Sequence, residues 1–157
     1  MRACTLVCLA LALCLSAVTA WAGPASAQPT TGGRGTLEIN MVGFRNAEGQ
    51  ALVAVFRSDE GFPNHIEHAA FHKAFKLHKR TLRIVLEHLP AGPLAVAVQH
   101  DEDGDFEMDT GVFGIPREGF GTSRDAKARF GPPDYEDARI VLRQGQTQKL
   151  LIHLRYF

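Results

Sequence analysis

TLRIVLEHLPAGPLAVAVQH, Thr81 to His100, decides the fold. In its first half Leu82, Ile84 and Leu86 alternate with Arg83, Val85 and Glu87. A period of two is the mark of a strand with one dry face. Pro90-Ala91-Gly92-Pro93 then turns the chain. Leu94 to Val98 is apolar on both faces, which suits a strand at the centre of a sheet.

The same pattern recurs on either side. In TLEINMVGFR, Leu37, Ile39 and Met41 alternate with Glu38, Asn40 and Val42. NAEGQ follows as a turn and ALVAVFR, Ala51 to Arg57, as a second strand, so a hairpin is expected. The chain closes with ARIVLR, a turn at QGQT and KLLIHLRYF, read as a further hairpin. Ser58 to Arg80 is the helical candidate: Ile66, Ala70, Ala74 and Leu77 recur at helical spacing, with Pro63 and Asn64 as the opening. No helix alternates with the strands, which excludes a parallel α/β sheet. The expectation is an all-β, antiparallel β-sandwich of about seven strands with one short helix and a long Gly/Pro-rich loop, Gly111 to Asp137.

The first residues have a different character. Arg2 precedes an apolar run from Thr5 to Ala20, followed by small residues, the layout of a secretory signal peptide. Cleavage fits after Ala22 or Ala27, with Ala27 preferred because polar sequence starts at Gln28. The expected organisation is a signal peptide over 1–27, a flexible lead-in over 28–35 and one β-sandwich domain over 36–157, periplasmic or secreted. Cys4, Cys8 and Cys14 all lie in the signal segment, so stability must come from a core and not from disulfides. Leu13 is too bulky for the position before a lipidated Cys14, which argues against a lipid anchor. The apolar run is shorter than the ~20 residues of a span, so no membrane span is expected in the mature chain. With 17 basic and 17 acidic residues, the chain has no basic surplus, which argues against nucleic acid as a partner. Tyr156-Phe157 after alternating Leu150, Ile152 and Leu154 has the look of a closing outer-membrane strand, but too few segments reach the ~10 residues such barrels use.

Several motifs occur in a recognisable order: Asn46-Ala47-Glu48-Gly49, Gly61-Phe62-Pro63, Leu89-Pro90-Ala91-Gly92 and His100-Asp101-Glu102. Phe113-Gly114-Ile115-Pro116-Arg117-Glu118-Gly119-Phe120-Gly121, Phe130-Gly131-Pro132-Pro133 and Glu136-Asp137-Ala138 follow. Together they resemble the secreted bacterial family known as domain of unknown function 2141. The resemblance runs from about Leu37 to the C-terminus. It implies an exported prealbumin-like or immunoglobulin-like sandwich without an assigned activity, similar to accessory or binding modules.

The chemistry-bearing stretch is HDEDGDFEMDTG, His100 to Gly111. Asp101, Asp103, Asp105, Glu107 and Asp109 fall at alternate positions, and a tight turn can point such oxygens inward around calcium. The family resemblance implies D-x-N-x-N-G-x-x-D here, whereas Phe106 stands at the glycine position and Val112 where an EF-hand has its glutamate. The loop is therefore not an EF-hand. Two readings stand: a calcium site, or an acidic solvated turn, since Asp and Gly are common turn formers. Another cation is a minor variant of the first.

Other candidates are weaker. His65, His68 and His72 share a face if their segment is helical, which would suit Zn²⁺ or Cu²⁺, but a fourth ligand is missing and an exposed polar face is the simpler account. His100 at a strand end would serve a small hydrolase or lyase together with the neighbouring acids, and reads better as a packed residue. Ser123 lacks a nucleophile elbow. Phe113, Phe120, Phe130 and Tyr135, with Arg117, Arg124, Lys127 and Arg129, either floor a groove for an anion or pin the long loop; pinning is preferred. The resulting expectation is a non-enzymatic binding or accessory module with a calcium-stabilised acidic loop, its partner an unknown ligand or envelope protein. A small periplasmic hydrolase or lyase and a structural envelope protein are the alternatives.

Overall fold

A computed structural model describes residues 32–127 and 131–157. The signal segment, most of the lead-in and Arg129 and Phe130 lie outside the described residues. Eight strands form two sheets: β1 (Arg34–Val42), β2 (Gln50–Phe56), β3 (Phe71–Lys76), β4 (Thr81–Pro90), β5 (Gly92–Asp101), β6 (Gly119–Thr122), β7 (Ile140–Leu142) and β8 (Thr147–His153). The first sheet runs β4-β1-β8, the second β3-β2-β5-β6, with β7 also on β5. The expected sandwich is present.

Each inward face was visible as alternation. Leu37, Ile39 and Met41 of β1 are fully buried and meet Ile84, Leu86, Leu150 and Ile152 of the same sheet and Val53, Val55, Leu94, Val96 and Val98 of the other. β2 and β5 are buried on both faces, and the reason is a second apolar layer outside their sheet. There Ala54, Phe56, Ala95 and Ala97 are covered by Tyr135 and Ala138, with Phe62, Ile66 and Ala69 packed alongside. Phe62 joins the layer edge-on, 5.3 Å from Phe56 and 5.7 Å from Tyr135.

Neither expected hairpin forms. β1 pairs with β4 and β8, whereas β2 pairs with β3 and β5, so NAEGQ carries the chain from one sheet to the other. Likewise β7 pairs with β5 while β8 joins β1, and that second pairing is parallel, with Ile39 opposite Leu150. A short polar link between two strands is compatible with a crossover between layers as well as with a hairpin. The choice is made by which inner faces close the core.

The expected helix over Ser58 to Arg80 is also absent. Ile66–His68 forms one 3-10 turn, and Phe71–Lys76 becomes β3, the edge of the second sheet. Its Phe71 and Phe75 pack on the core, at a period of two that outweighs the helical spacing of Ala70, Ala74 and Leu77. Among the described residues the one short α-helix, α1, is Tyr135–Ala138, inside the long loop. That loop is no free connection: β6 adds to β5 from within it, His100 opposite Gly119. Among the described residues no helix is long and apolar enough to cross a membrane.

Candidate functional site

The acidic loop leaves the end of β5, and Asp101 is its root. This carboxylate is fully buried. Its Oδ1 accepts from the Gly104 amide at 2.7 Å, and Oδ2 accepts from Gln50 Nε2 at 2.7 Å and from the Phe106 amide at 3.3 Å. A carboxylate has about four lone-pair sites, so these three donors leave it short by one. No ion pair among the described residues includes Asp101. It is an interior anion held by neutral donors alone.

Beyond it the chain folds back in small steps. Asp103 Oδ1 accepts from the Asp105 amide at 3.3 Å, and Asp105 Oδ1 from the Glu107 amide at 2.8 Å, each a turn made by an aspartate two residues ahead. Gly104 takes φ +85°, which a glycine does freely, and Phe106 takes φ 67°, which a phenylalanine does not. The turn thus begins at Gly104 and is finished by a residue under strain, its ring exposed.

This path gathers Asp101, Asp103 and Asp105: one oxygen of each lies within 4.8 Å of the others. Two oxygens on one calcium ion stand at most about 5 Å apart, twice the Ca–O distance of 2.3–2.6 Å, so the spacing fits. Three hard carboxylate oxygens are the right donors for that ion. Glu107 and Asp109 are not in the cluster. Glu107 is placed by its carbonyl, which accepts from Gln99 Nε2 at 2.5 Å, and Asp109 by its amide.

A second buried carboxylate, Glu118, clamps the other side of the loop. Its Oε1 accepts from the Glu102 amide at 3.0 Å, and its Oε2 from Gln99 Nε2 at 2.7 Å and the Asp109 amide at 3.4 Å. Sequence reasoning missed Glu118, Gln50 and Gln99, since nothing local marks them; Gln99 stands on β5 itself, and the pairing of β5 with β2 and β6 brings Gln50 and Glu118 to the loop. Glu102 turns away from the cluster. Its Oε1 lies 2.5 Å from Arg45 Nε and 3.4 Å from His100 Nδ1, and its Oε2 accepts from Asn46 Nδ2 at 3.2 Å. Partial burial pushes the Glu102 carboxyl up, but the hydrogen bonds from Arg45 and Asn46 and the charge of Arg45 outweigh it and hold the group below its ordinary range.

His100 is fully buried, edge-on to Phe44 at 5.1 Å. Nε2 lies 3.0 Å from the Glu48 carbonyl, which can only accept, so Nε2 carries hydrogen. Nδ1 then accepts from the Tyr156 hydroxyl at 2.7 Å, and the same oxygen accepts from the Arg45 amide at 3.0 Å. Burial pushes the Tyr156 phenol up, which keeps it a donor. Both ring nitrogens are committed, the packed role preferred for this histidine.

Ser123 is fully buried, donating to the Ala138 carbonyl at 2.6 Å and accepting from the Val96 amide at 3.0 Å. It ties α1 to β5. The three histidines do not share a helical face: His65 precedes the 3-10 turn and His68 ends it, paired with Glu67 at 3.1 Å and Glu60 at 3.3 Å, while His72 stands on β3. Of the aromatic residues read as pins, Tyr135 packs into the outer apolar layer, Phe120 lines a groove, and Phe130 and the Phe113 side chain lie outside the described residues.

Residues 39–150 match an uncharacterised protein family conserved in bacteria, DUF2141, over well more than half of the chain. The chain belongs to this family. No curated protein and no solved structure shows a significant match to it. DUF2141 membership thus agrees with the resemblance read from the motifs, and covers both β5 and the acidic loop.

Proposed function

We propose that this DUF2141 protein is an exported, non-enzymatic binding or accessory module whose acidic loop is closed by calcium, with Asp101, Asp103 and Asp105 as ligands. The observation that carries the reading is the convergence of three carboxylates, one of them buried without a cationic partner. Calcium would neutralise that anion and complete its acceptor sites. The ion would also relieve the repulsion among neighbouring acids, and so stiffen the loop beside the 111–118 connection. The commitment of both His100 nitrogens speaks for binding over hydrolysis or lyase chemistry.

Thermal unfolding in calcium, in magnesium and in chelator tests this. An ion bound only by the folded state at a hundredfold over its Kd adds about 2.7 kcal/mol. For a domain of this size that raises Tm by roughly 10 °C. Asp103→Asn combined with Asp105→Asn should abolish the rise. Equal melting under all three conditions would leave only the solvated turn. The export reading has its own check: N-terminal sequencing after expression in a bacterium should start at Gln28.

A further inference from the structure

A second candidate site lies on the far side of Tyr156, where β6 meets the chain beyond β8. Phe120 and Arg155 exchange both backbone hydrogen bonds, at 2.9 Å each, which stitches the edges of the two sheets. The two glycines around Phe120 permit this approach. A Cβ on Gly119 would sit 2.3 Å from Tyr156 Cζ, and one on Gly121 would sit 2.7 Å from the His153 carbonyl.

Over this seam opens a groove of about 190 Å³, lined among others by Phe120, Lys127, His153, Arg155 and Phe157. Its aromatic wall is the stacked pair Phe120 and Phe157, with ring centres 5.5 Å apart and planes 24° from parallel. Lys127 and Arg155 enter no ion pair among the described residues, so two cations line the groove against the single carboxylate of Asp125, which is turned onto His153.

The third feature is a histidine–aspartate pair built at a cost. Asp125 Oδ2 lies 2.6 Å from His153 Nδ1, and Oδ1 accepts from the His153 amide at 3.0 Å. To reach them the chain places Arg124 and Asp125 in succession at φ 60° and φ 50°. Two adjacent non-glycine residues in the left-handed region are strained, and such strain is held only where the surroundings impose it. Because a carboxylate only accepts, Nδ1 carries the hydrogen, and Nε2 of the neutral ring is an acceptor. The His153 side chain is 49% exposed.

We propose that this groove binds a small hydroxylated aromatic carboxylate: ring against Phe120 and Phe157, carboxylate on Lys127 and Arg155, hydroxyl donating to His153 Nε2. The volume sets the size, since a cavity of about 150 Å³ holds benzene. The unpaired cations set the charge, and the oriented imidazole sets the need for a donor. The site is separate from the acidic loop and does not rest on calcium.

Titration of the purified protein with benzoate, its three monohydroxy isomers and benzyl alcohol, followed by amide chemical shifts, tests the proposal. At least one hydroxybenzoate should give saturable shifts centred on residues 120–127 and 153–157, with Kd on the order of 1 mM, the range for a ligand of this size. Benzoate should bind roughly tenfold more weakly than the best isomer, and benzyl alcohol more weakly still. Lys127→Ala with Arg155→Ala, both exposed positions, should abolish saturation without moving Tm. His153→Leu should erase the advantage of the hydroxyl. Absence of shifts, equal binding of benzyl alcohol, or an isomer preference that survives His153→Leu would each overturn it.

Discussion

Tyr156→Phe removes one oxygen from the buried network around His100 and leaves the ring in place. That oxygen gives the hydrogen bond to Nδ1 at 2.7 Å and takes the one from the Arg45 amide at 3.0 Å. Arg45 is exposed, so water can replace the second bond. Nδ1 is fully buried and has no such replacement. A buried acceptor deprived of its donor costs about 1–3 kcal/mol, and the ring packing that Phe retains adds little to this. The expected loss is about 2 kcal/mol. In urea, with a slope of about 2 kcal/mol per molar, the midpoint should fall by about 1 M without a change of slope. His100→Leu on the same background removes the orphaned acceptor, so the two changes together should cost about 1–2 kcal/mol less than their sum. A midpoint shift under about 0.2 M for Tyr156→Phe, or strict additivity, would refute the assignment of His100 as a bonded core residue.

Three further outcomes follow from the same geometry. Gly119→Ala drives a methyl group into the Tyr156 ring, 2.3 Å from Cζ, and should destabilise by about 2 kcal/mol; an unchanged melt would mean that the ring is not held there. Ser123→Ala strips partners from the Val96 amide and the Ala138 carbonyl, and should cost about 2 kcal/mol in urea unfolding, with parity as the contrary result. The Glu102 carboxyl is held low, so its stabilising contribution is present above the ordinary carboxylate range and is lost as pH falls through the lower folded value. Between roughly pH 5 and 3 the Glu102→Gln variant should therefore show the shallower fall in Tm, and parallel curves would remove Glu102 from the acid response.

Strands that bury one face, such as Thr36 to Val42 and Thr81 to Leu89, were legible because each residue's side is set locally by the pleat. What joins to what was not. The crossing of NAEGQ between layers depends on pairings such as Gln50 with Asp101, far along the chain, and the parallel docking of Thr147–His153 on β1 on pairings such as Thr36 with Thr147, more than a hundred residues apart. β3 was hidden because Ala70, Ala74 and Leu77 satisfy a helical period by accident, while the pull toward a strand comes from the open edge of β2. β6 was hidden by glycines, which carry no hydropathy signal, yet those glycines are needed for the approach to Tyr156 and His153. At the acidic loop, Asp101, Asp103 and Asp105 could be read directly, because alternate positions of a turn share a side. Glu107 and Asp109 extended that alternation past Phe106, where the backbone changes hand. Gln50 arrives from β2 and Glu118 from the chain just before β6, and no spacing rule reaches them; Gln99, on β5 itself, carries no mark that sets it apart from its neighbours.

Among the described residues the central member of the three-stranded layer, β1, comes before every other strand, and one of its two neighbours, β8, comes after them all. Until Thr147–His153 exists, Ile39 and Met41 have no Leu150 or Ile152 beside them, and one side of β1 stays open. Maturation of this molecule is thus a closing act: a nascent or clipped chain ending before Thr147 keeps a ready template for foreign strands along β1. With so much of its pairing spanning distant sequence, folding should take milliseconds to seconds, long enough for a helper to hold the unfinished chain apart from its neighbours.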